Sequence, residues 1–323
     1  MEGSRHGRLA HRTRRTAVAA LLAAALTVPL SAAARPNVPA PAPAALPPLT
    51  PAGLTTAYAA NRADATRAAR MAAAHGDSRR AAADRAIGST RRQLLAFDGR
   101  GAGLVSEVFG DLAHAGHIAV LVPGSDTSLD TYPRFHRAAE ALYAAANRGP
   151  GPRTAVVAWL GYRTPVTVST TVATTTRADE AAPQLQSFVR TLRELAPGAH
   201  LSVVCHSYGS VVCGRAAHGL DVADIALVGS PGTGAGDVAA LGTRARVWAA
   251  RGGDDWVGDV PHVRVDLLLA TVGLGADPVS RDFGARVFDA GPADHSGYFT
   301  PGSASLANLA RITRGETSEV TRG

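Results

Sequence analysis

Short apolar runs alternate with helical stretches along most of the chain after residue 93. The runs are nearly continuous and rich in β-branched residues, which is typical of strands buried on both faces of a parallel sheet. Strand–helix alternation of this kind predicts an α/β fold with a doubly wound, mostly parallel sheet. The predicted strands are 117–122, 154–159, 201–205, 224–228, 245–250 and 286–288, and the predicted helices are 134–146, 180–195 and 210–217. Runs at 94–98 and 104–109 predict antiparallel strands at the leading edge.

Upstream of this pattern the composition changes twice. Residues 52–92 are rich in Ala and Arg, both strong helix formers, and predict a helical extension whose sparse apolar residues either pack on the main domain or stay solvated. Residues 35–51 are dominated by Pro and Ala and predict an extended linker. The main α/β domain is therefore assigned to 93–323.

Residues 1–34 have the three parts of an export signal. Basic residues end at Arg14-Arg15, an apolar run covers 16–30, and small residues end at Ala34. We therefore expect a secreted or extracytoplasmic protein, exported by the Sec or the twin-arginine route and cleaved near Ala34, that meets the membrane only during export. An uncleaved anchor is the alternative. The sequence leaves the oligomeric state open.

Charge and spacing exclude several function classes. Of the formal net charge of +7, the first 34 residues carry +4, and the remainder is not concentrated in a basic stripe with interleaved aromatics. Nucleic-acid binding is therefore not expected. The chain contains no metal-ligand spacing, no Walker loop and no dinucleotide fingerprint, so neither a metal nor a cofactor is expected.

A serine stands between a predicted strand and a predicted helix. In the run from Leu201 to Val212, the strand leads directly into Ser207 and the helix follows at once. This context is typical of a nucleophile elbow, in which a strained turn lifts the serine hydroxyl above the sheet edge. The full pattern is Gly-x-Ser-x-Gly. Here Gly209 is present, and Cys205 replaces the first glycine.

The order of the other candidate residues matches this chemistry. Hydrolases of this kind place an acid after a later strand and a histidine after the last one. His295 follows the final predicted strand, and Asp254 and Asp255 both follow the run at 245–250. Asp255 is preferred because it lies two residues after Gly253 and two before Val257; Asp254 is the alternative acid. His206 is expected to point away from the nucleophile.

Five motifs resemble one bacterial family. The chain is similar, over about residues 90–312, to a family of exported α/β hydrolases described mainly as a domain of unassigned function. The motifs are LVPG at 121–124, WLGY at 159–162, HSYGS at 206–210, GSPG at 229–232 and HSGY at 295–298. The resemblance implies the fold and the triad of Ser207, Asp255 and His295, and says little about the substrate.

Acyl transfer also needs donors for the oxyanion. The backbone N–H of Tyr208, next to the serine, is one candidate, and the loop containing Gly124 and Ser125 should supply the other. A simple turn is the alternative interpretation of Pro123-Gly124.

The two cysteines, Cys205 and Cys213, flank the candidate serine. An even count permits a disulfide in an oxidising compartment. However, a strand and its covering helix usually keep their Cα atoms more than about 7 Å apart. We therefore expect two buried free thiols, with the disulfide as the alternative.

Together these features predict an exported serine hydrolase that acts on a small-molecule ester through an acyl-enzyme on Ser207. The chain between 228 and the next strand is short and Gly-rich, so a fairly open cleft is expected. Two alternatives remain: acyl transfer by the same triad, and a non-catalytic exported binding protein on a hydrolase fold.

Overall fold

A computed structural model of the protein describes residues 38–149, 151, 153–167, 174–259, 265–267, 270–272 and 274–323. The predicted export signal, with its cleavage point, lies outside these residues, as do the first three residues of the linker.

Eight strands form one mixed sheet with a mostly parallel arrangement. The strands are β1 (Gln93–Asp98), β2 (Leu104–Phe109), β3 (His117–Val122), β4 (Thr154–Leu160), β5 (His200–His206), β6 (Asp224–Val228), β7 (Arg246–Ala250) and β10 (Arg286–Val287), while β8 (Val265–Leu267) and β9 (Ala270–Val272) pair separately. The order across the sheet is β1-β2-β4-β3-β5-β6-β7-β10. The pairs β1–β2 and β2–β4 are antiparallel and all later pairs are parallel. The predicted fold class and the antiparallel leading edge are confirmed.

Helices cover both faces of this sheet. They are α1 (Leu54–Ala74), α2 (Ser78–Ile87), α3 (Tyr132–Ala146), α4 (Thr176–Leu195), α5 (Gly209–Ala216) and α6 (Ala304–Thr313). Successive strand side chains point to opposite faces. In β5, Val203 and Cys205 therefore pack in the core with α4 and α5, whereas Val204 packs in the core with α3 and α6. Both faces are apolar, which explains the continuous hydrophobic runs in the sequence.

The structure extends some predicted elements and adds others, among them the short strands β8 and β9. Helix α3 begins at Tyr132, with Pro133 in its first turn, and α4 begins at Thr176. Helix α6 was not predicted, although the Ser303 side chain caps it by accepting a hydrogen bond from the Leu306 N–H. The last strand is shorter than expected, because only Arg286 and Val287 pair with β7.

The N-terminal helices pack on the leading edge of the sheet. The buried side chain of Asn61 donates to the carbonyl oxygens of Leu94 and Leu95, at 3.1 and 3.0 Å. Arg80 pairs with Asp84 and also donates to the Gly101 carbonyl, and both charged side chains are 1% exposed. Of the two alternatives for the helical extension, these contacts favour the one in which it packs on the main domain. In the described part of the chain, none of the helices, including the 21-residue α1, has the length and apolar character to span a bilayer.

A buried carboxylate links three neighbouring strands near their amino-terminal ends. Asp224 accepts two hydrogen bonds from Arg246, one from the Trp248 indole and one from His200. Burial raises the pKa of Asp224, but the hydrogen bonds from these partners outweigh it and lower the pKa to about 2. The charge of Asp224 is therefore paired within the protein, and the candidate catalytic residues lie at the opposite, carboxyl-terminal edge of the sheet.

Candidate active site

The chain turns sharply at Ser207. Strand β5 ends at His206, Ser207 has a left-handed φ of 54°, and α5 begins at Gly209. Few non-glycine residues adopt this conformation, and its presence here has the geometry of the predicted elbow. The Ser207 N–H donates to the Val228 carbonyl of the neighbouring strand at 3.0 Å, which holds the turn in place.

Gly209 allows the helix to start close to the sheet. A Cβ at this position would lie 2.6 Å from the Val122 carbonyl oxygen and 2.7 Å from that of Pro123. Any side chain would therefore push α5 away from the ends of the strands. This is the physical reason for the second glycine of the elbow pattern.

The two cysteines form a disulfide across this turn. Cys205 and Cys213 are fully buried, and their Cα atoms are 6.5 Å apart. The expectation of two free thiols is therefore wrong. The usual strand-to-helix spacing does not apply here, because α5 starts at the end of β5 and Cys213, the fifth residue of α5, is still beside that strand. The bond also explains why Cys205 occupies the position of the first elbow glycine.

Three predicted residues meet above this edge of the sheet. The Ser207 Oγ–H donates to His295 Nε2 at 2.9 Å, and the His295 Nδ1–H donates to Asp255 Oδ1 at 2.9 Å. A carboxylate can only accept, so this bond fixes the tautomer of the imidazole and leaves Nε2 as an acceptor. Each residue follows a strand whose carboxyl end lies at this edge, as the order in the sequence predicted.

Asp255 is buried, whereas its neighbour Asp254 is exposed. Besides the bond from His295, Asp255 accepts from the Val257 N–H at 2.9 Å and from the Tyr298 hydroxyl at 2.5 Å. Burial raises the pKa of Asp255, but the hydrogen bonds from His295, Tyr298 and Val257 outweigh it and hold the pKa below its usual value. The carboxyl is therefore ionised at neutral pH.

His206, which was expected to point away from Ser207, lies against His295, a contact that was not predicted. The two ring centroids are 5.0 Å apart, and the His206 Nε2–H donates to the His295 backbone carbonyl at 2.7 Å. Desolvation by burial, together with the positive charge that His295 can carry, lowers the pKa of His206 to about 4. His206 is therefore neutral at physiological pH and does not repel a protonated His295.

Three backbone N–H groups near Ser207 make no hydrogen bond within the described part of the chain. Gly124, Ser125 and Tyr208 line the cleft with Ser207, and within the described residues their N–H groups have no acceptor. A Cβ on Gly124 would lie 2.5 Å from the Ser207 Cβ, so only glycine lets the loop come this close. All three residues are those predicted for the oxyanion site.

Tyr162, from the WLGY motif, was not recognised as part of this site. Its buried hydroxyl donates to the Pro123 carbonyl at 2.6 Å, and its ring stacks on Trp159 with centroids 6.0 Å apart. It therefore fixes the loop that carries Gly124. The motif itself was the available signal, since a tyrosine two residues beyond a buried strand can reach across to the next strand end.

The site opens into a cleft of about 430 Å³. Trp256 lies at its mouth, 52% exposed, with its ring centroid 4.7 Å from that of His295. Much of the remaining wall is apolar and includes Leu121, Phe135, Ala138, Val257 and Phe299. Among the described residues, no group of three or more His, Cys, Asp or Glu side chains is placed to hold a metal ion.

Comparison with known proteins agrees with this fold. Residues 98–265 match the family described as alpha/beta hydrolase, and the protein belongs to that family. Ser207 and Asp255 lie inside the matched segment, and His295 lies beyond it.

The similar proteins differ in how much they resemble the chain. An uncharacterized protein of Mycobacterium tuberculosis is 30% identical to this chain. The similarity covers 68% of this chain but only 38% of the length of the relative. Among solved structures, an α/β serine hydrolase without a lid from Xanthomonas campestris is 18% identical, covering 73% of this chain and 98% of its own, with a TM-score of 0.43. The esterase PE8 is 16% identical, covering 66% and 98%, also with a TM-score of 0.43.

The low pKa of His206 predicts an acid-dependent loss of stability. Below about pH 6.5, the unfolded chain binds a proton that the folded His206 does not take up until about pH 4. Stability should therefore fall as the pH drops through this interval, and His206→Gln should remove that part of the fall. Melting temperatures measured from pH 7.5 to 4.5 test this. The exposed His75 gives the control, His75→Gln, which should follow the wild type. Parallel curves for wild type and His206→Gln would contradict the assignment.

Proposed function

We propose that the protein is a serine hydrolase that cleaves carboxylic esters, with Ser207 as nucleophile, His295 as general base and Asp255 as the acid of the triad. The observation that carries the proposal is the continuous hydrogen-bonded chain from Ser207 through His295 to Asp255, at 2.9 Å for each link. The Ser207 end of this chain lies in a cleft that is also lined by Gly124, Ser125 and Tyr208, whose backbone N–H groups have no acceptor among the described residues.

Acylation follows from this arrangement. His295 Nε2 takes the Ser207 proton while Oγ attacks the ester carbonyl carbon, and Asp255 stabilises the imidazolium that forms. The negative charge that develops on the carbonyl oxygen is bound by the N–H of Tyr208 and by N–H groups of Gly124 and Ser125. His295 then gives its proton to the departing alcohol, which leaves an acyl group on Ser207.

Deacylation repeats the sequence with water. His295 takes a proton from a water molecule, whose oxygen attacks the acyl carbonyl at the same oxyanion site. Collapse of the tetrahedral intermediate returns the proton to Ser207 and releases the carboxylic acid. Throughout, the neutral His206 beside His295 adds no opposing charge.

The cleft favours an ester with an apolar part of modest size. Its volume of about 430 Å³ lies at the small end of the range of roughly 300–1,000 Å³ for ligand sites. Trp256 and Phe299 at the edge and Phe135 in the wall would contact the acyl chain or the alcohol. Transfer of the acyl group to another alcohol would use the same residues, and product analysis with an added alcohol acceptor separates the two reactions.

Ser207→Ala should abolish ester hydrolysis, with a loss on the order of 10⁶-fold in turnover, because the covalent step has no nucleophile. The wild type should also be labelled by a fluorophosphonate probe and the variant should not. Ser210→Ala, three residues along the same elbow, is the control and should still be labelled. Absence of both hydrolysis and labelling in the wild type would favour a non-catalytic binding protein. More than a few per cent activity in Ser207→Ala would place the nucleophile elsewhere.

Asp255→Asn should lower kcat by roughly 10³-fold or more, because an amide supports the wrong imidazole tautomer and cannot stabilise the charged ring. Asp254→Asn is the matched control, since this neighbouring carboxyl is exposed. Steady-state kinetics of the two variants side by side make the test. If Asp254→Asn loses most of its kcat while Asp255→Asn stays near the wild-type value, Asp254 is the acid of the triad and Asp255 is not.

We further propose that the protein is exported, because residues 1–34 contain the parts of a signal peptide. A buried disulfide beside Ser207 supports this, since disulfides persist in oxidising compartments. N-terminal sequencing of the secreted protein should give a chain that starts at Arg35, and deletion of 1–34 should retain the protein in the cytoplasm. A mature chain that starts well before Arg35, or secretion of the deletion variant, would contradict the proposal.

A further inference from the structure

Gly229 of the GSPG motif and Tyr298 of the HSGY motif have no role in the proposed reaction as described above. Both meet at Asp255. Tyr298 is fully buried in the short turn Gly297–Phe299, three residues after His295. Its hydroxyl donates to Asp255 Oδ2 at 2.5 Å and accepts from the Gly252 N–H at 3.0 Å.

The two oxygens of Asp255 therefore have different partners. Oδ1 accepts from His295 and from the Val257 N–H, while Oδ2 accepts from Tyr298. A carboxylate held at only one oxygen can rotate about its Cβ–Cγ bond. With Tyr298 on the second oxygen, the first is fixed toward the imidazole.

Gly229 leaves the space for this contact. A Cβ at this position would lie 2.9 Å from Asp255 Oδ2 and 2.9 Å from the Tyr298 ring, and its φ of +56° also favours glycine. The glycine thus keeps the tyrosine–carboxylate pair in direct contact.

We propose that Tyr298 is a positioning residue of the catalytic site: it orients Asp255 toward His295 and withdraws part of the carboxylate's charge. This inference rests on the proposed serine hydrolase function. Burial and the hydrogen bond to Asp255 raise the pKa of Tyr298 far above its usual value, so the hydroxyl remains a donor over the whole working range of pH.

Tyr298→Phe keeps the ring and removes only the hydroxyl. We expect kcat to fall about tenfold to a hundredfold, the size typical for the loss of an outer hydrogen bond that orients a functional group. KM should change little, because Tyr298 is not among the residues that line the cleft. In the pH profile of kcat/KM, the acidic limb is the part where activity falls as His295 becomes protonated. This limb should move to higher pH, because without the Tyr298 hydroxyl the carboxylate is more negative and holds the imidazolium proton more tightly.

The other titratable and charged residues of this region are not substituted in this variant. Asp255 and His206 contact His295, Asp294 precedes it in the chain, Arg134 acts on His206, and Arg251 acts on Tyr298. A shift of the limb therefore reports the loss of the Tyr298 hydroxyl.

Tyr132→Phe is the matched control. Tyr132 is also buried, and its hydroxyl donates to a carboxylate, Glu107 Oε2, at 2.8 Å. In thermal melts, Tyr132→Phe should lose about as much stability as Tyr298→Phe, but the acidic limb of its kcat/KM profile should stay where it is in the wild type. If Tyr298→Phe fails to fold, 3-fluorotyrosine placed at 298 carries the test: its more acidic hydroxyl donates more strongly, so the limb should move to lower pH.

An acidic limb that does not move in a folded Tyr298→Phe, or in the fluorotyrosine protein, would overturn the assignment, even with reduced kcat. The proposed function is judged separately on the wild type. Wild-type hydrolysis and fluorophosphonate labelling with an unmoved limb would refute only the role of Tyr298, whereas a wild type that does neither would refute the hydrolase proposal itself.

Discussion

The left-handed turn at Ser207 is the constraint around which the rest of the site is arranged. Such a conformation costs a non-glycine residue on the order of 1–3 kcal/mol and persists only where the surroundings enforce it. Here a parallel sheet supplies the Val228 carbonyl on one side, the disulfide joins the strand to the helix, and Gly209 lets that helix begin against β3. The turn lifts one hydroxyl above the sheet edge, while Cys205 before it and Tyr208 after it are buried.

The second requirement is a buried negative charge that stays ionised. Isolated burial would neutralise Asp255, so the fold surrounds it with donors from separate segments of the chain. The loop after β7 supplies the backbone N–H of Val257, and the loop after β10 supplies both the imidazole and the Tyr298 hydroxyl. Because the carboxylate is satisfied in this way, it can hold His295 without taking its proton.

The motifs of the sequence are the points where separate loops approach one another closely. Gly124 contacts the Ser207 side chain, Gly229 faces Asp255, and Tyr162 holds the Pro123 carbonyl. Each of these contacts needs either space or one hydrogen bond over a short distance, so glycines and a tyrosine that are far apart in the chain serve one site. From the sequence, Ser207, Asp255 and His295 could be assigned to the triad and Gly124, Ser125 and Tyr208 to the oxyanion site, because the order of these groups along the fold is known.

The sequence by itself determined the sheet, most of its helices, and the candidate residues at the strand ends, because these depend on hydrophobic periodicity and on the order of elements. It could not decide between Asp254 and Asp255 beyond a preference for spacing, it misjudged the cysteines, and it did not predict the contact between His206 and His295. These questions depend on distances of a few ångströms between segments that are far apart in the chain. The packing of α5 against β5 brings Cys213 to Cys205, and the loop after β10 brings His295 over His206. The local sequence pattern does not encode how close two segments that are far apart in the chain come to each other, so only the tertiary structure decided these contacts.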